Sequence, residues 1–292
     1  MVPEEGDGGG GEEGGREAGA PGSPVPLHLV VALMPEARPL IEAWSLRPEP
    51  GSGELRRFRN QRCRLVVTGI GREAATRGTE ALTAESGKGP AIWLNVGLCG
   101  HRSLPVGEIR IAHKVVDRED GESLFPPQIV SSPWPPVELH TVHAPELEYA
   151  DEVAYDMEAA GFLRPARSSA TAELVQCVKV VSDNRERPAR RLRDDEIRAL
   201  MEPVIPGVRI LVERLRKAAS DLARDLLDRK LMDRILDRTH FTVSRRRSLE
   251  KLLRRMAARE IPVPVGELTG DAAEILETLK RRLAEEPVRL DR

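Results

Sequence analysis

Short apolar runs typical of buried strands alternate with helical patterns between Leu27 and Asp183. The first run ends at Leu33, and Pro35 follows at a position that suits the first turn of a helix. Further strand-like runs lie at residues 64–68, 91–97, 106–116 and 139–142, in a segment that ends at 155–156, and at 174–181. Strands that alternate with helices predict a layered α/β domain with a largely parallel sheet.

The two flanks of this region have different compositions. Residues 1–26 are rich in Gly and Glu and carry almost no apolar side chain, so we expect a disordered acidic tail. After Asp183 the strand signal stops, and apolar residues recur at helical spacing over residues 194–227, 221–259 and 269–283. We therefore predict three parts, namely the tail 1–26, a domain 27–227 and a helical extension 228–292.

Composition excludes several protein classes. No apolar run reaches the roughly 18–20 residues that a membrane span needs, and the acidic start does not resemble an export signal. Cys63, Cys99 and Cys177 lie far apart and form neither a disulfide framework nor a zinc-binding pattern. We therefore expect a cytoplasmic protein with no metal, no cofactor and no membrane partner.

Charge is balanced over the whole chain but not along it. The chain has 45 basic and 47 acidic residues, yet the part after Asp183 carries about seven more basic than acidic residues. The basic run 244–247 continues in Lys251, Arg254 and Arg255, which is a candidate nucleic-acid contact. Acidic residues are interleaved at 221, 225, 228 and 233, and aromatic residues make up only 3% of the chain. These features favour a solvated helix face, so we expect no nucleic-acid partner.

Residues that can carry chemistry follow the predicted strands. They are Glu36 and Arg38 after the first strand, Thr68–Gly71 after the second, Asn95–His101 after the third, and then Asp156–Glu158 and Ser182–Asp183. Ligands of open α/β sheets collect at the carboxyl ends of the strands, so we expect three carboxylates and two Gly-rich turns at one rim. Taken singly, Glu36 and Glu158 are also ordinary first-turn helix residues, and Asp183 is also an ordinary N-cap.

The order of these segments resembles the nucleoside phosphorylase and nucleosidase superfamily, particularly its methylthioadenosine/S-adenosylhomocysteine nucleosidase branch. The matching segments are Ala-x-x-x-Glu at 32–36, Thr-Gly-Ile-Gly at 68–71, Asn-x-Gly-x-x-Gly at 95–100, Val-Gly-Glu-Ile at 106–109, Met-Glu at 157–158 and Ser-Asp at 182–183. The resemblance covers about residues 27–227. It implies a three-layer α/β/α nucleoside phosphorylase-like fold with a mixed, largely parallel sheet, to which the C-terminal helical extension is added.

The resemblance also implies cleavage of the N-glycosidic bond of a purine nucleoside, through an oxocarbenium-like sugar. Glu36 would activate the attacking water, and Asp183 would protonate N7 of the purine with Ser182 orienting it. Glu158 would accept hydrogen bonds from the ribose hydroxyls, and Met157 would pack against the sugar. The other substrate-binding residues implied in this way are Thr68, Gly69, Asn95, Gly97, Cys99 and Gly100.

Two alternatives to a hydrolase remain open at this point. A phosphate-dependent nucleoside phosphorylase needs cations for the oxyanion, and Arg38 and Arg72 are the candidates. A non-catalytic nucleoside-binding or scaffold protein would act through its C-terminal helices. For an enzyme, the resemblance implies a homo-oligomer that works in nucleoside metabolism and purine salvage.

The chain departs from the family pattern in its predicted pocket. His101 stands where the family has a second Gly, Cys99 replaces a small residue, and the family's base-stacking Phe has no clear match. Tyr149 and Phe125 are the candidates to stack on the base instead. We interpret His101 as a loop residue rather than a catalytic base.

Overall fold

The computed structural model describes residues 25–50, 53–86, 90–259 and 261–285, and the predicted tail 1–26 lies almost wholly outside them. The helices are α1 (Met34–Ala43), α2 (Arg72–Thr83), α3 (Ala159–Ser169), α4 (Asp194–Met201), α5 (Val204–Leu236), α6 (Val243–Ala258) and α7 (Ala272–Glu285). The strands are β1 (Leu27–Val31), β2 (Arg47–Pro48), β3 (Arg56–Arg59), β4 (Cys63–Val67), β5 (Ile92–His101), β6 (Ile109–Asp117), β7 (Ser123–Leu124), β8 (Pro136–Thr141), β9 (Ala154–Asp156) and β10 (Val175–Asn184). A 3-10 turn, Ala172–Leu174, precedes β10.

The described strands form one mixed sheet in the order β10-β6-β8-β9-β5-β1-β4-β3-β2, with β7 beside β6. An additional pairing of β10 with β5 closes β5, β9, β8, β6 and β10 into a ring. The mixed α/β fold predicted from the sequence is confirmed. Parallel pairing joins β1, β4, β5 and β10, while the short strands β2, β3 and β7 pair antiparallel and give no strand pattern in the sequence.

The centre of the sheet is apolar because its strands are covered on both faces. β1 is buried along its whole length, and Trp93 of β5 and Phe162 of α3 are fully buried. Gly161 of α3 lies against the carbonyl of Arg72 at the start of α2, where a Cβ atom would collide. This close packing brings the N-terminal ends of α2 and α3 together.

Two compact units divide the chain, the first ending at Ala219 and the second beginning at Ser220. This division falls inside α5, eight residues before the predicted border at 227/228. A continuous helix gives the sequence no boundary signal, so the exact border of the predicted domains stays a prediction. In the second unit, the end of α5 packs with α6 and α7 around Ile235, Leu249, Leu253, Met256, Ile275 and Leu279.

Prolines set the break between α4 and α5. Pro203 precedes α5, and Pro206 lies in the first turn of α5, where the missing amide costs no helical hydrogen bond. None of the helices in the described ranges combines the length and apolarity needed to cross a bilayer.

Candidate active site

A pocket of about 860 Å³ opens at the carboxyl ends of β1, β5, β9 and β10. The sequence-predicted site residues that line it are Glu36, Cys99, Gly100, Met157, Glu158, Ser182 and Asp183. The structure therefore brings together both residues predicted to be catalytic and the Met-Glu pair predicted to hold the sugar.

Four other predicted substrate-binding residues do not line this pocket as far as the described residues define it: Thr68, Gly69, Asn95 and Gly97. The Asn95 side chain is buried and donates a hydrogen bond to the carbonyl of Val30 (3.1 Å), so it joins β5 to β1. The Thr68 hydroxyl donates to the Gly69 carbonyl (2.8 Å). At Gly97 a Cβ atom would lie 3.2 Å from Glu36 Oε1, so the glycine leaves room for the carboxylate.

The two arginines predicted to bind phosphate also lie away from the pocket lining. Arg38 is exposed on α1. The Arg72 guanidinium donates to Asp117 (3.0 Å) and also pairs with Glu119. The positive charge of Arg72 is therefore balanced by these acidic side chains, although the sequence predicted that it would bind phosphate.

Glu36 is buried at the start of α1, and each of its oxygens accepts a backbone amide hydrogen bond. Leu33 N donates to Oε2 (2.8 Å) and Leu98 N donates to Oε1 (3.0 Å), so the carboxylate fastens the start of α1 to β5. Burial raises the pKa of Glu36, while the Leu33 amide and the Lys179 ammonium oppose that rise. Glu36 is thus both a helix-capping residue and a buried carboxylate at the pocket wall.

Lys179 of β10 is a buried cation that the sequence analysis overlooked. Its side chain is 1% exposed, and its Nζ lies 2.7 Å from Asp156 Oδ2. Burial lowers the pKa of Lys179, but the neighbouring Asp156 and Glu158 outweigh this effect, so the pKa stays above its ordinary value. A lysine inside an otherwise apolar strand is the sequence signal that could have revealed it.

Asp156 connects this cation to the rest of the site. Its Oδ2 accepts the amide of Ala159 (2.8 Å) at the start of α3, and its Oδ1 accepts the hydroxyl of Thr141 (2.8 Å) on β8. The Thr141 hydroxyl in turn accepts the amide of Ala160 (3.0 Å). Asp156 therefore fixes the backbone that presents Met157 and Glu158 to the pocket.

Glu158 shares its surroundings with one cation and other carboxylates. Gly71 N donates to its Oε1 (2.9 Å) across the contact between α2 and α3. Burial raises the pKa of Glu158 to about 7; Lys179 opposes this rise, and Asp156 and Glu36 add to it. One ammonium cannot compensate three buried carboxylates, so the pocket is suited to hold a proton near neutral pH.

Asp183 is held by hydroxyl groups on both of its oxygens. Tyr149 donates to Oδ2 (2.6 Å), and Ser182 donates to Oδ1 (2.5 Å). The Tyr149 hydroxyl also accepts the amide of Ala189 (2.9 Å), which ties the pocket-lining segment after β10 to the same group. At Gly100 a Cβ atom would lie 2.5 Å from Asp183 Oδ2, so this close arrangement requires glycine.

The residues predicted to stack on a base take other positions. Tyr149 is fully buried with its hydroxyl on Asp183, and Phe125 is exposed and away from the pocket lining, whereas Tyr155 does line the pocket. His101 is the last residue of β5 and not the loop residue that the sequence predicted, and its Nδ1 accepts the amides of Ser103 and Leu104 (both 3.1 Å). Burial raises the pKa of the Cys99 thiol, so this pocket residue is no thiolate nucleophile.

The outer wall of the pocket is a segment that the sequence analysis did not assign. Residues 187–192 and the start of α4 line it, with Arg190 paired to Glu196 (2.6 Å). No cluster of His, Cys, Asp or Glu within the described ranges has the arrangement of a metal site. In the carboxylate cluster, the Lys179 ammonium supplies the positive charge.

Several solved structures that share this architecture are nucleosidases. The 5′-methylthioadenosine nucleosidase of Arabidopsis thaliana, in apo form, matches with a TM-score of 0.54 at 16% identity over 66% of this chain and 96% of that chain. The chain has the nucleosidase fold. The methylthioadenosine/S-adenosylhomocysteine nucleosidase of Colwellia psychrerythraea 34H, in complex with adenine, matches with a TM-score of 0.51 at 16% identity over 68% and 96% of the two chains.

A third match has the same fold at lower identity. The corresponding Helicobacter pylori nucleosidase, with butyl-thio-DADMe-Immucillin-A, has a TM-score of 0.51 at 12% identity over 65% of this chain and 99% of that chain. No protein-family model matches the chain, and no curated protein matches it. The fold similarity covers about the extent of the resemblance seen in the sequence.

We predict that Lys179→Met destabilises the protein by about 3–5 kcal/mol, because it leaves Asp156 buried without its cation. Lys114→Met is the matched control, since Lys114 pairs with Glu138 (3.0 Å) where both side chains are partly exposed. The control is expected to lose less than about 1 kcal/mol. Urea unfolding followed by circular dichroism measures both free energies, and equal losses would contradict the role given to the buried pair.

Proposed function

We propose that this chain hydrolyses the N-glycosidic bond of a purine nucleoside or nucleoside-like metabolite. The observation that carries the proposal is that Glu36, Glu158 and Asp183 line one pocket at the carboxyl ends of the strands. The fold shared with nucleosidases supports the same class of reaction. Methylthioadenosine and S-adenosylhomocysteine, which appear in the names of those proteins, are therefore the first substrates to test.

Asp183 is the general acid in this proposal. As the glycosidic bond breaks, negative charge develops on the purine, and a proton delivered to N7 neutralises it. Ser182 and Tyr149 each hold one oxygen of Asp183, so the carboxyl group keeps one orientation. Prior orientation lowers the entropic cost of reaching the transition state.

The sugar and the water lie on the side of Glu36 and Glu158. Ionised Glu158 accepts hydrogen bonds from neighbouring ribose hydroxyls, and Met157 packs against the sugar. Glu36 accepts a proton from the attacking water, for which its raised pKa makes it a better base than an exposed glutamate. Lys179 balances the charge of this cluster and stabilises the ionised carboxylates.

A phosphate-dependent reaction has less support than hydrolysis. Arg38 is exposed, and Arg72 pairs with Asp117, so neither supplies a cation to the pocket lining. A buried cluster with more carboxylates than cations repels phosphate. Beside the carboxylate cluster, water is therefore the acceptor that the electrostatics favour; the arginines of the pocket lining, Arg187, Arg190 and Arg191, lie on the segment after β10.

The direct test is incubation of the purified full chain with a panel of purine nucleosides, with and without phosphate, followed by chromatography of the free base. The panel contains adenosine, inosine, guanosine, methylthioadenosine and S-adenosylhomocysteine. Release of base without phosphate is the expected result. Release that requires phosphate would replace the hydrolase with a phosphorylase, and a lack of release together with saturable binding would indicate a non-catalytic protein.

Asp183→Asn is expected to lower kcat by about 10²–10⁴-fold, because asparagine cannot deliver a proton to the base. Asp195→Asn, an exposed change on α4, is the matched control and is expected to keep the parent rate. Steady-state kinetics on the best substrate of the panel measure both variants. Parent-level turnover in Asp183→Asn would remove this residue from the mechanism.

Tyr149→Phe tests whether the phenol positions the general acid. Loss of the hydroxyl frees both Asp183 Oδ2 and the Ala189 amide, so we expect kcat to fall about tenfold to 100-fold with a smaller rise in KM. Tyr155→Phe is the control, since its hydroxyl accepts the Asp151 amide (3.0 Å) instead. Equal losses in the two variants, or an effect confined to KM, would argue against positioning by Tyr149.

The pKa of Glu158 predicts how substrate binding changes with pH. This carboxyl is neutral below about pH 7 and ionised above it, and the ionised form is the stronger acceptor for ribose hydroxyls. KM is therefore expected to fall as the pH rises through about 7. Glu158→Gln cannot ionise and is expected to show a high KM without this pH dependence, whereas a flat KM in the parent would contradict the assignment.

The proposed reaction belongs to purine nucleoside metabolism. A role in purine salvage, a cytoplasmic location, assembly into a homo-oligomer and a separate extension at 228–292 stay predictions from the sequence. Size-exclusion chromatography with light scattering measures the oligomeric state directly.

A further inference from the structure

Helix α6 has one apolar face and one strongly basic face. Leu249, Leu252, Leu253 and Met256 are buried in the core of the second unit. The exposed face carries six cations, which are Arg245, Arg246, Arg247, Lys251, Arg254 and Arg255. The helix is therefore anchored by its core side chains, while its positive charge faces solvent.

Part of this face forms a groove of about 360 Å³. Its lining consists of four cations and one acid: Arg247, Lys251, Arg254, Arg255 and Glu250. Residues spaced three, four and eight apart share one side of a helix, so these cations form a continuous stripe. Of the α6 cations, only Arg254 forms an ion pair within the part of the chain that the structure describes, with Glu250 (2.8 Å).

The acidic residues that precede this stripe in sequence lie on a different helix. The acids at 221, 225, 228 and 233, which favoured a solvated and locally neutral face, belong to α5 and not to α6. Within α6, Glu250 is the single acid against six cations. Compensation of the α6 cations from within their own helix is therefore limited to this one carboxylate.

The side chains between the cations indicate what kind of partner fits. Ser244 and Ser248 are exposed and polar, and Val243 at the first turn is the exposed large apolar residue of α6. A helix that lies in a lipid surface buries an apolar face there, but the apolar face of α6 already lies in the protein core. A protein interface has an apolar or aromatic centre, which this face lacks in its described residues.

We propose that the basic face of α6 binds the phosphodiester backbone of double-stranded nucleic acid without sequence preference. Five of the six cations are arginines, whose planar guanidinium groups donate two hydrogen bonds to a phosphate. Aromatic side chains, on which the bases of a single strand would stack, are absent from the α6 sequence. Backbone contacts alone position a protein on a duplex but do not read its bases.

The test is fluorescence anisotropy of the full chain with a labelled DNA duplex of mixed sequence at increasing salt. Four phosphate contacts predict that log K falls with log salt at a slope of about −3.6, which is a loss of about 100-fold between 50 and 200 mM. The triple variant Arg247→Glu, Lys251→Glu, Arg255→Glu is expected to weaken binding at least 100-fold at low salt. A second duplex of unrelated sequence is expected to bind equally well.

The matched control changes the same amount of charge on another helix of the same unit. Lys280→Glu, Arg281→Glu and Arg282→Glu lie on exposed positions of α7 and are expected to retain most of the affinity. Circular dichroism confirms that both triple variants fold, since every substituted side chain is exposed. The proposal is overturned if the duplex does not bind at 50 mM salt or if both variants lose affinity equally. It is also overturned if vesicles of phosphatidylcholine and phosphatidylserine, or polyglutamate, bind more tightly than DNA.

Discussion

The buried ion pair between Lys179 and Asp156 is the interaction on which the candidate site depends. Through Asp156, the ammonium is connected to β8, to β9 and to the first amides of α3, while Lys179 itself belongs to β10. Burying these charges is costly unless they are paired and hydrogen-bonded, so the surrounding backbone must hold one geometry. That same geometry presents Glu158 and Met157 to the pocket. The same ion pair therefore balances the buried charge and fixes the geometry of the site.

The two sides of the pocket control their carboxyl groups differently, one by burial and charge and the other by hydrogen bonds from hydroxyl groups. On the side of Glu36 and Glu158, burial raises carboxyl pKa values and one ammonium limits the rise, which suits proton acceptance and contacts to sugar hydroxyls. On the side of Asp183, hydroxyl donors fix the orientation of a carboxyl group. Glycines at 97 and 100 make both arrangements possible, because each leaves space that a Cβ atom would fill beside a carboxylate.

The sequence predicted the pocket residues that follow strands, because strand ends are visible as a switch from apolar runs to polar or Gly-rich turns. Glu36, Glu158 and Asp183 are of this kind. Lys179 was missed because its partner lies 23 residues earlier on a three-residue strand. Tyr149 was assigned to base stacking because its loop, which holds it at a left-handed φ of 48°, has no periodic pattern that would indicate its contact with Asp183. Arg72 was assigned to phosphate because its partner Asp117 lies 45 residues away. Local sequence patterns therefore predict which ionisable side chains lie at strand ends. The charges around each side chain depend on partners that are distant in sequence.

The ring of strands also bears on how this protein avoids aggregation. Within the ring, β9 is paired on both sides although it has only three residues, so among the described strands β9 presents no open edge beside the pocket. The path ends instead at β2, whose two residues, Arg47 and Pro48, are both exposed. A short edge with a charge and a residue that lacks an amide hydrogen is a poor template for a strand from another molecule. The sheet is thus closed into a ring beside the candidate active site, and its terminal strand β2 disfavours pairing with a strand of another molecule.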